Sequence, residues 1–315
     1  MTDTTTLPKP RRWRRRIFIA LGALTGIVAV LALLFVINGL WLAHGETPLA
    51  GTAVAKADGA AAPQPAPSDP AEVKVLSYNF AKGMLNDGTW KVETGHVDER
   101  LAKIAALIRQ EQPDLVFLSE IVFECQPCSR NQVAYLAAET ELKHWATGEN
   151  YNFGLPFFRV VGGNAILSRW PLKPVDNFAL PVQKPFYITK NNRRALFCQI
   201  DLAGQPLLLG AVHNDSFDLE NNLVQARLEL EHIAGRPAIL AGDFNAMPHE
   251  PAIQLLKASG QFTAVYDGPH TFPTSKPDQT IDLIFAPAGW TVVEHHVPQC
   301  DASDHLPTVT TFRRR

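Results

Sequence analysis

Residues 17–43 carry no ionisable side chain. A helix needs roughly 20 apolar residues to cross a bilayer, so this stretch is long enough even when tilted. From residue 73 the pattern breaks into short apolar runs, read as strands, and segments with apolar positions at helical spacing. The strand runs lie at 73–79, 115–119, 165–168, 195–201, 207–212, 238–241, 280–285, 290–294 and 308–312. One helical segment starts at Asp98 as N-cap, repeats through Leu101, Ile104, Ala105 and Ile108, and stops at Pro113. Others fall at 132–142, at 218–234 through Leu219, Leu223, Ala226, Leu230 and Ile233, and at 251–259. Strands interleaved with helices predict an α/β domain, and no internal repeat is visible.

What flanks the apolar stretch gives it an orientation. Arg11-Arg12-Trp13-Arg14-Arg15-Arg16 precedes it and little charge follows, which predicts a cytoplasmic N-terminus. Trp13 and Trp41 are placed for the two interfaces. The apolar core of a cleaved signal peptide normally runs only about 7–15 residues, and the small-x-small site Ala53-Val54-Ala55 lies well beyond the run. A retained single-pass anchor is therefore favoured over cleavage, although Arg15-Arg16-Ile17-Phe18 loosely matches a twin-arginine export signal. Both readings place the remainder outside the cytoplasm, at a bacterial-type inner (cell) membrane and on its periplasmic or extracellular side. Four segments follow: basic residues 1–16, a transmembrane helix over 17–43, an Ala/Pro-rich linker over 44–72, and a folded domain over 73–312. The linker lacks the large apolar residues that would offset its ordering entropy.

Composition adds little about fold and something about partners. At 315 residues and 46% hydrophobic, the chain can bury one substantial core. Its net charge of -2 conceals a basic N-terminus and a region from 71 onward that is about five units negative. Such a domain is poorly suited to tight non-specific nucleic-acid binding, which runs on phosphate neutralisation, though bound metal ions would offset local charge.

The strand endings carry the chemistry. Asn79, Glu120, His213, Asp243 and Asn245 all stand where an apolar strand gives way to a loop. In Ala241-Gly242-Asp243-Phe244-Asn245, strand alternation would point Asp243 and Asn245 to one side and Phe244 into the core. Asp282 sits inside an otherwise apolar run, and a buried carboxylate needs a partner. Ser303-Asp304-His305 lies in a loop before the last strand. Carboxylates, carboxamides and two histidines at one edge of an α/β sheet are what metal-assisted phosphoester hydrolysis requires. Hard oxygen donors favour Mg²⁺ or a similar divalent ion, Mn²⁺ included, over zinc.

At these residues the chain resembles the endonuclease/exonuclease/phosphatase, or deoxyribonuclease I-like, family across residues 73–312. The motifs occur in the family's order: Ser77-Tyr78-Asn79, Leu118-Ser119-Glu120, Gly163-Asn164-Ala165-Ile166-Leu167-Ser168-Arg169, Val212-His213, Gly242-Asp243-Phe244-Asn245, Ile281-Asp282 and Ser303-Asp304-His305. The resemblance implies two packed β-sheets flanked by helices, a four-layer α/β sandwich. It implies Glu120 as principal metal ligand with Asn79 beside it and Asp304 as a further ligand. Asp243 would orient or deprotonate the attacking water, and Asn245 would position the phosphate. His305, held by Asp282, would stabilise developing charge, and His213 would add a second phosphate contact. Ser119 stands where the family usually has Gln and Val212 where Thr is common; neither change removes a catalytic group.

Other features point less far. Cys125-Gln126-Pro127-Cys128 is read as a local disulfide in an oxidising compartment rather than half of a zinc site. Arg193-Arg194 is either a solvated turn or a phosphate contact. His295-His296 lacks convergent partners and is read as surface, and residues 269–273 lie between the Asp243 and Asp282 strands, where members of the family it resembles often carry a substrate-facing loop. The expected activity is hydrolysis of a phosphodiester, in nucleic acid or a phospholipid head group, by a membrane-tethered enzyme, with no protein partner implied. The alternatives are a phosphomonoesterase of the same family and a non-catalytic surface domain that keeps the fold.

Overall fold

The computed structural model describes residues 12–42, 45, 47–53, 70–83, 97–125, 131–140, 142–182 and 193–315. Among them the strands form two sheets. The first runs in the order β1 (Leu49–Thr52), β4 (His144–Leu155), β5 (Phe158–Ser168), β3 (Leu115–Cys125), β2 (Glu72–Asn79), β13 (Thr308–Arg313) and β12 (Thr291–His296). The second runs β10 (Phe262–Ala264), β11 (Asp282–Pro287), β9 (Ala238–Asp243), β8 (Gln205–His213), β7 (Arg193–Leu202) and β6 (Lys173–Leu180). Pairing is antiparallel except for β2 with β3 and β8 with β9. These parallel strands are apolar runs buried on both faces, as central strands covered on two sides must be.

Strand alternation explains the layering, because neighbouring residues serve different cores. Val75, Phe117, Leu209 and Ile239 fill the space between the sheets. Leu76, Val116 and Leu118 face outward and are covered by α2 (Val97–Glu111) through Leu101, Ile104 and Ile108, and by α3 (Gln132–Glu139) through Val133 and Leu136. On the far side, Leu240 and Phe285 are covered by Ala226 and Ile233 of α4 (Leu219–Ile233) and by Ile253 and Leu256 of α5 (Pro251–Ala258). The result is the expected four-layer α/β sandwich of two packed sheets flanked by helices.

At the N-terminus, α1 (Arg12–Leu40) leaves its apolar side chains exposed over most of its length. It is one helix long and apolar enough to cross a membrane, by length and composition, although a signal sequence would pass the same test. Its last turns pack on β4, and within the expected linker Leu49–Thr52 forms β1, paired with β4 as an edge strand.

Several elements differ from the sequence reading. β4 and β6 have no counterpart in it, because their runs are interrupted by polar residues such as Glu149, Asn150, Asn152, Asp176 and Asn177. Asp98 lies in the first turn of α2 rather than capping it, while Asp218 does cap α4 by accepting from the Glu220 and Asn221 amides. Asp282 opens β11 instead of interrupting it. His295 and His296 are half-buried and have partners: Thr310 Oγ1 at 2.9 Å and Glu111 Oε2 at 3.0 Å. Cys128 lies outside the described residues, and with it the expected Cys125–Cys128 disulfide.

Candidate active site

Three neighbouring strands of the second sheet set a row of functional groups. The registers place His213 of β8 opposite Asp243 of β9, and Asp243 opposite Asp282 of β11. Gly242 makes this approach possible: its φ is 149°, and a Cβ there would lie 2.0 Å from the Val212 carbonyl oxygen. Phe244 is buried with its ring 5.1 Å from that of Phe285, which anchors the strand end in the outer core. Asn245 reaches the same side as Asp243 by a turn rather than by strand alternation. Its φ is 48°, its backbone N–H donates to Asp243 Oδ1 at 2.9 Å, and its side-chain amide donates to the Asn214 carbonyl at 3.0 Å.

The first sheet supplies the opposing groups. Asn79, ending β2, pairs in register with Ser119 on β3. Asn79 donates to Asp243 Oδ2 at 2.9 Å, so one side-chain hydrogen bond joins the two sheets at the site. Glu120 follows Ser119 at a β-bulge with φ 52°, between the pairs Leu118–Ala165 and Ile121–Gly163. Bulges re-aim a side chain out of the strand's own pleat, which brings the Glu120 carboxylate over the edge. The loop carrying Asp304 and His305 is tied down by Ser303, whose hydroxyl donates to the Asn79 carbonyl at 2.7 Å.

The two histidines converge on Asp243 from opposite sides. His213 Nε2 is 3.7 Å from Asp243 Oδ2 and 3.7 Å from Glu120 Oε1. His305 Nε2 is 3.8 Å from Asp243 Oδ2, and its Nδ1 is 2.9 Å from Asp282 Oδ2. The ring of His305 rests on Phe272, from the expected substrate-facing loop, at 4.6 Å. All eight residues singled out in the sequence thus lie at the same edge. Two more join them. Arg193, opening β7, is buried and contacts His213 Nε2 and, at 3.1 Å, Ser216 Oγ. Lys82, in the short helical turn after Asn79, pairs with Glu120 Oε2. Lys82 gave no strand-end signal in the sequence; its position three residues after Asn79 was the only hint.

These contacts fix the charges. Burial would lower the His305 pKa, but the Asp282 carboxylate, with Asp243 and Asp304 behind it, pushes it up to about 10. His213 goes the other way, to about 3, through burial and then the neighbouring Arg193 guanidinium. It is therefore a neutral imidazole accepting from Arg193 at Nε2. Asp243 is raised, first by burial and then by Asp282, against the opposing pull of His305, His213 and Asn79. For Glu120, burial acts upward but Lys82, His213 and Arg193 prevail and hold it below the usual carboxylate range.

Which groups suit a divalent ion follows from these protonation states. Asp243, Asp282 and His305 bring donor atoms within 4.8 Å of one another. Within this triad, His305 Nδ1 is already engaged with Asp282 Oδ2 at 2.9 Å. Glu120 is the fitting group: an ionised carboxylate at the mouth of the site whose charge the fold already meets with cations. Burial raises the Asp304 pKa, and Glu120 is close enough to add to that rise against the pull of His305. Carboxylate oxygens with the Asn79 carboxamide form the hard donor set that Mg²⁺ or a similar ion takes.

A buried acid–imidazole pair and an opposed ionised carboxylate thus lie together in a two-sheet α/β frame, at the carboxyl ends of parallel strands. Residues 76–305 match the sequence model of the Endonuclease/Exonuclease/phosphatase family. The chain belongs to that family, whose members are phosphoester hydrolases. A search of curated proteins finds no match. Among solved structures, an endonuclease/exonuclease/phosphatase from Beutenbergia cavernae is similar at 25% identity and TM-score 0.62, covering 78% of this chain and 72% of that one. The mannosyl-6-phosphatase Bt3783 of Bacteroides thetaiotaomicron shares the fold at 18% identity and TM-score 0.57, covering 76% and 99%. D. rerio TDP2, complexed with a single-strand DNA product, shares it at 18% identity and TM-score 0.53, covering 78% and 100%.

Proposed function

We propose that this protein is a membrane-tethered, divalent-metal-dependent phosphoesterase that hydrolyses a phosphodiester by in-line attack of water. The observation that carries the reading is the Asp282–His305 pair at 2.9 Å, aimed at an Asp243 that is itself raised toward neutrality. A divalent ion held by Glu120, with Asp304 and Asn79, would supply positive charge to the phosphate oxygens. Asp243, anchored by Asn79 and by the Asn245 amide, accepts a proton from the attacking water. His305 stays an imidazolium and stabilises the charge that develops on phosphorus oxygens, with Asp282 fixing its ring. Arg193, steadied by neutral His213, faces the same space from the other side and holds the phosphate in line. The tether is α1, spanning a cell membrane with a cytoplasmic N-terminus and the catalytic domain on the other side.

One feature favours a second reading, a phosphomonoesterase like the mannosyl-6-phosphatase that shares the fold. Lys82 and Arg193 both lie beside Glu120, and two extra cations suit a dianionic substrate. Assays of the full chain in detergent micelles separate the two. With Mg²⁺, bis-p-nitrophenyl phosphate should turn over faster than p-nitrophenyl phosphate, and EDTA should abolish both reactions. Preference for the monoester selects the second reading, and turnover of neither with any divalent ion overturns both. For the tether, alkaline carbonate should leave the chain in the membrane fraction.

A further inference from the structure

The β4–β5 hairpin reaches past the catalytic edge. Strand β5 pairs with β3 as far as Cys125–Val160 and with β4 as far as Leu155–Phe158. Glu120 lies level with the stretch between Gly163 and Ala165. The strands therefore continue past the carboxyl end of β2, the edge that holds Asn79 and Glu120, for roughly 15–20 Å at a rise of about 3.3 Å per residue. A two-point ion pair braces this extension: Arg159 donates from Nε and Nη2 to the two oxygens of Glu124 at 3.0 and 2.9 Å. Its tip carries three exposed aromatic rings, Phe153 (55%), Phe157 (66%) and Phe158 (56%).

The same tip receives the end of α1. Asn38, fully buried, donates to Asn152 Oδ1 at 2.8 Å and to the Gly154 carbonyl at 3.1 Å, and Asn152 donates back to the Leu42 carbonyl at 3.2 Å. One turn inside the apolar stretch, Phe35 meets Phe153 edge to face at 5.5 Å. A helix rises about 1.5 Å per residue, so the Phe153 ring lies at the depth of α1's last apolar turn. If α1 spans a bilayer, the hairpin tip is carried into that bilayer's interfacial layer, where aromatic rings are favoured.

We propose that the β4–β5 hairpin is a second membrane contact that turns the catalytic edge toward the bilayer, and that the substrate is a phosphoester in a lipid head group presented there. This rests on reading α1 as a retained anchor and the site as a phosphoesterase. A free-swinging domain on a linker would have no preferred face. Here the contacts of Asn38 and Phe35 fix one, and it is the face that holds Glu120 and Asp243.

The test uses the full chain in phosphatidylglycerol vesicles. A photo-crosslinking phenylalanine analogue at position 157 should label lipid, whereas the same analogue at Val293, exposed on β12 at the sandwich's other margin, should not. Equal labelling overturns the membrane contact. Turnover is then compared for a long-chain alkyl p-nitrophenyl phosphodiester embedded in the vesicles and for soluble bis-p-nitrophenyl phosphate. The variant Phe153→Ser/Phe157→Ser/Phe158→Ser should lose about tenfold on the embedded ester and stay within about twofold on the soluble one. The single variant Phe157→Ser should lose less and, being the most exposed of the three, serves if the triple variant does not fold. Unchanged turnover of the embedded ester, or faster turnover of a single-stranded DNA oligonucleotide than of that ester, overturns the substrate assignment. Failure of the supporting readings shows elsewhere: no turnover of the soluble diester by the wild type defeats the phosphoesterase, and release of the chain by alkaline carbonate defeats the anchor.

Discussion

His305 and His213 are both buried, both stand at the ends of central strands or beside them, and both come within 4 Å of the same oxygen of Asp243. Their charges are nevertheless opposite. His305 is driven up to about 10 and His213 down to about 3. Burial acts in the same direction on both, so the partner decides: a carboxylate at 2.9 Å for one, a guanidinium for the other. An imidazolium and an imidazole thus flank one carboxyl, and on the imidazole side the positive charge is carried by Arg193 instead of the ring.

The largest test of this asymmetry removes its charged half. His305→Ala should lower kcat on bis-p-nitrophenyl phosphate by about 10²–10⁴-fold, whereas retained activity would mean the imidazolium does not touch the reaction. Asp282→Asn keeps the ring and removes the charge that raises it, so a loss of about 10²-fold is expected at neutral pH. A group raised to about 10 stays charged until the pH rises through that value, so wild-type activity should hold through neutrality and fall near pH 10. In Asp282→Asn that fall should begin at lower pH; an unmoved alkaline limb would disconnect Asp282 from His305. On the acid side the limb belongs to Asp243, whose raised pKa places it above the ordinary carboxylate value, while His213 stays neutral throughout.

A smaller effect is expected on the His213 side. Arg193→Gln should lower activity by about tenfold and move the His213 imidazole titration, followed by NMR, upward from about 3. Unchanged titration would show that burial alone sets it. Glu229 in α4 is raised to about 8 by burial, with only Asn214 pulling the other way. Because its folded pKa lies above the unfolded one, stability should decline as pH rises from the unfolded value toward about 8. Glu229→Gln should flatten that slope in thermal melts across pH 5 to 8.5, whereas an identical slope would show that the acid is not the source.

How much of this was legible beforehand depended on whether the signal was local. Apolar runs ending in polar residues exposed Asn79, Glu120, His213 and Asp243, because a strand's end and its burial are both written in the run itself. Asp282 showed through its cost: a carboxylate among Ile281, Leu283 and Ile284 had to be paired. β4 escaped because its polar residues answer to distant partners, as Asn152 does to Asn38 and Leu42. Arg193 reads from sequence as either a turn or a phosphate contact, since only the pairing of β7 with β8 brings it beside His213. The convergence of Asn245 on Asp243 was expected for the wrong reason: a left-handed turn achieves what strand alternation was thought to achieve.

Gly242 carries a consequence for how this enzyme can change. A single added carbon there would meet the Val212 carbonyl, so no other residue at that position is compatible with the present strand spacing. The distance from the His213 strand to the Asp243 strand is therefore inherited rather than adjustable. In a randomised library, position 242 should return glycine alone among active clones, and variants with altered substrate choice should map to the rim, to the hairpin tip and the 269–273 loop. The chemistry would drift slowly and the substrate quickly, because one glycine denies the reaction centre the small steps by which selection usually works.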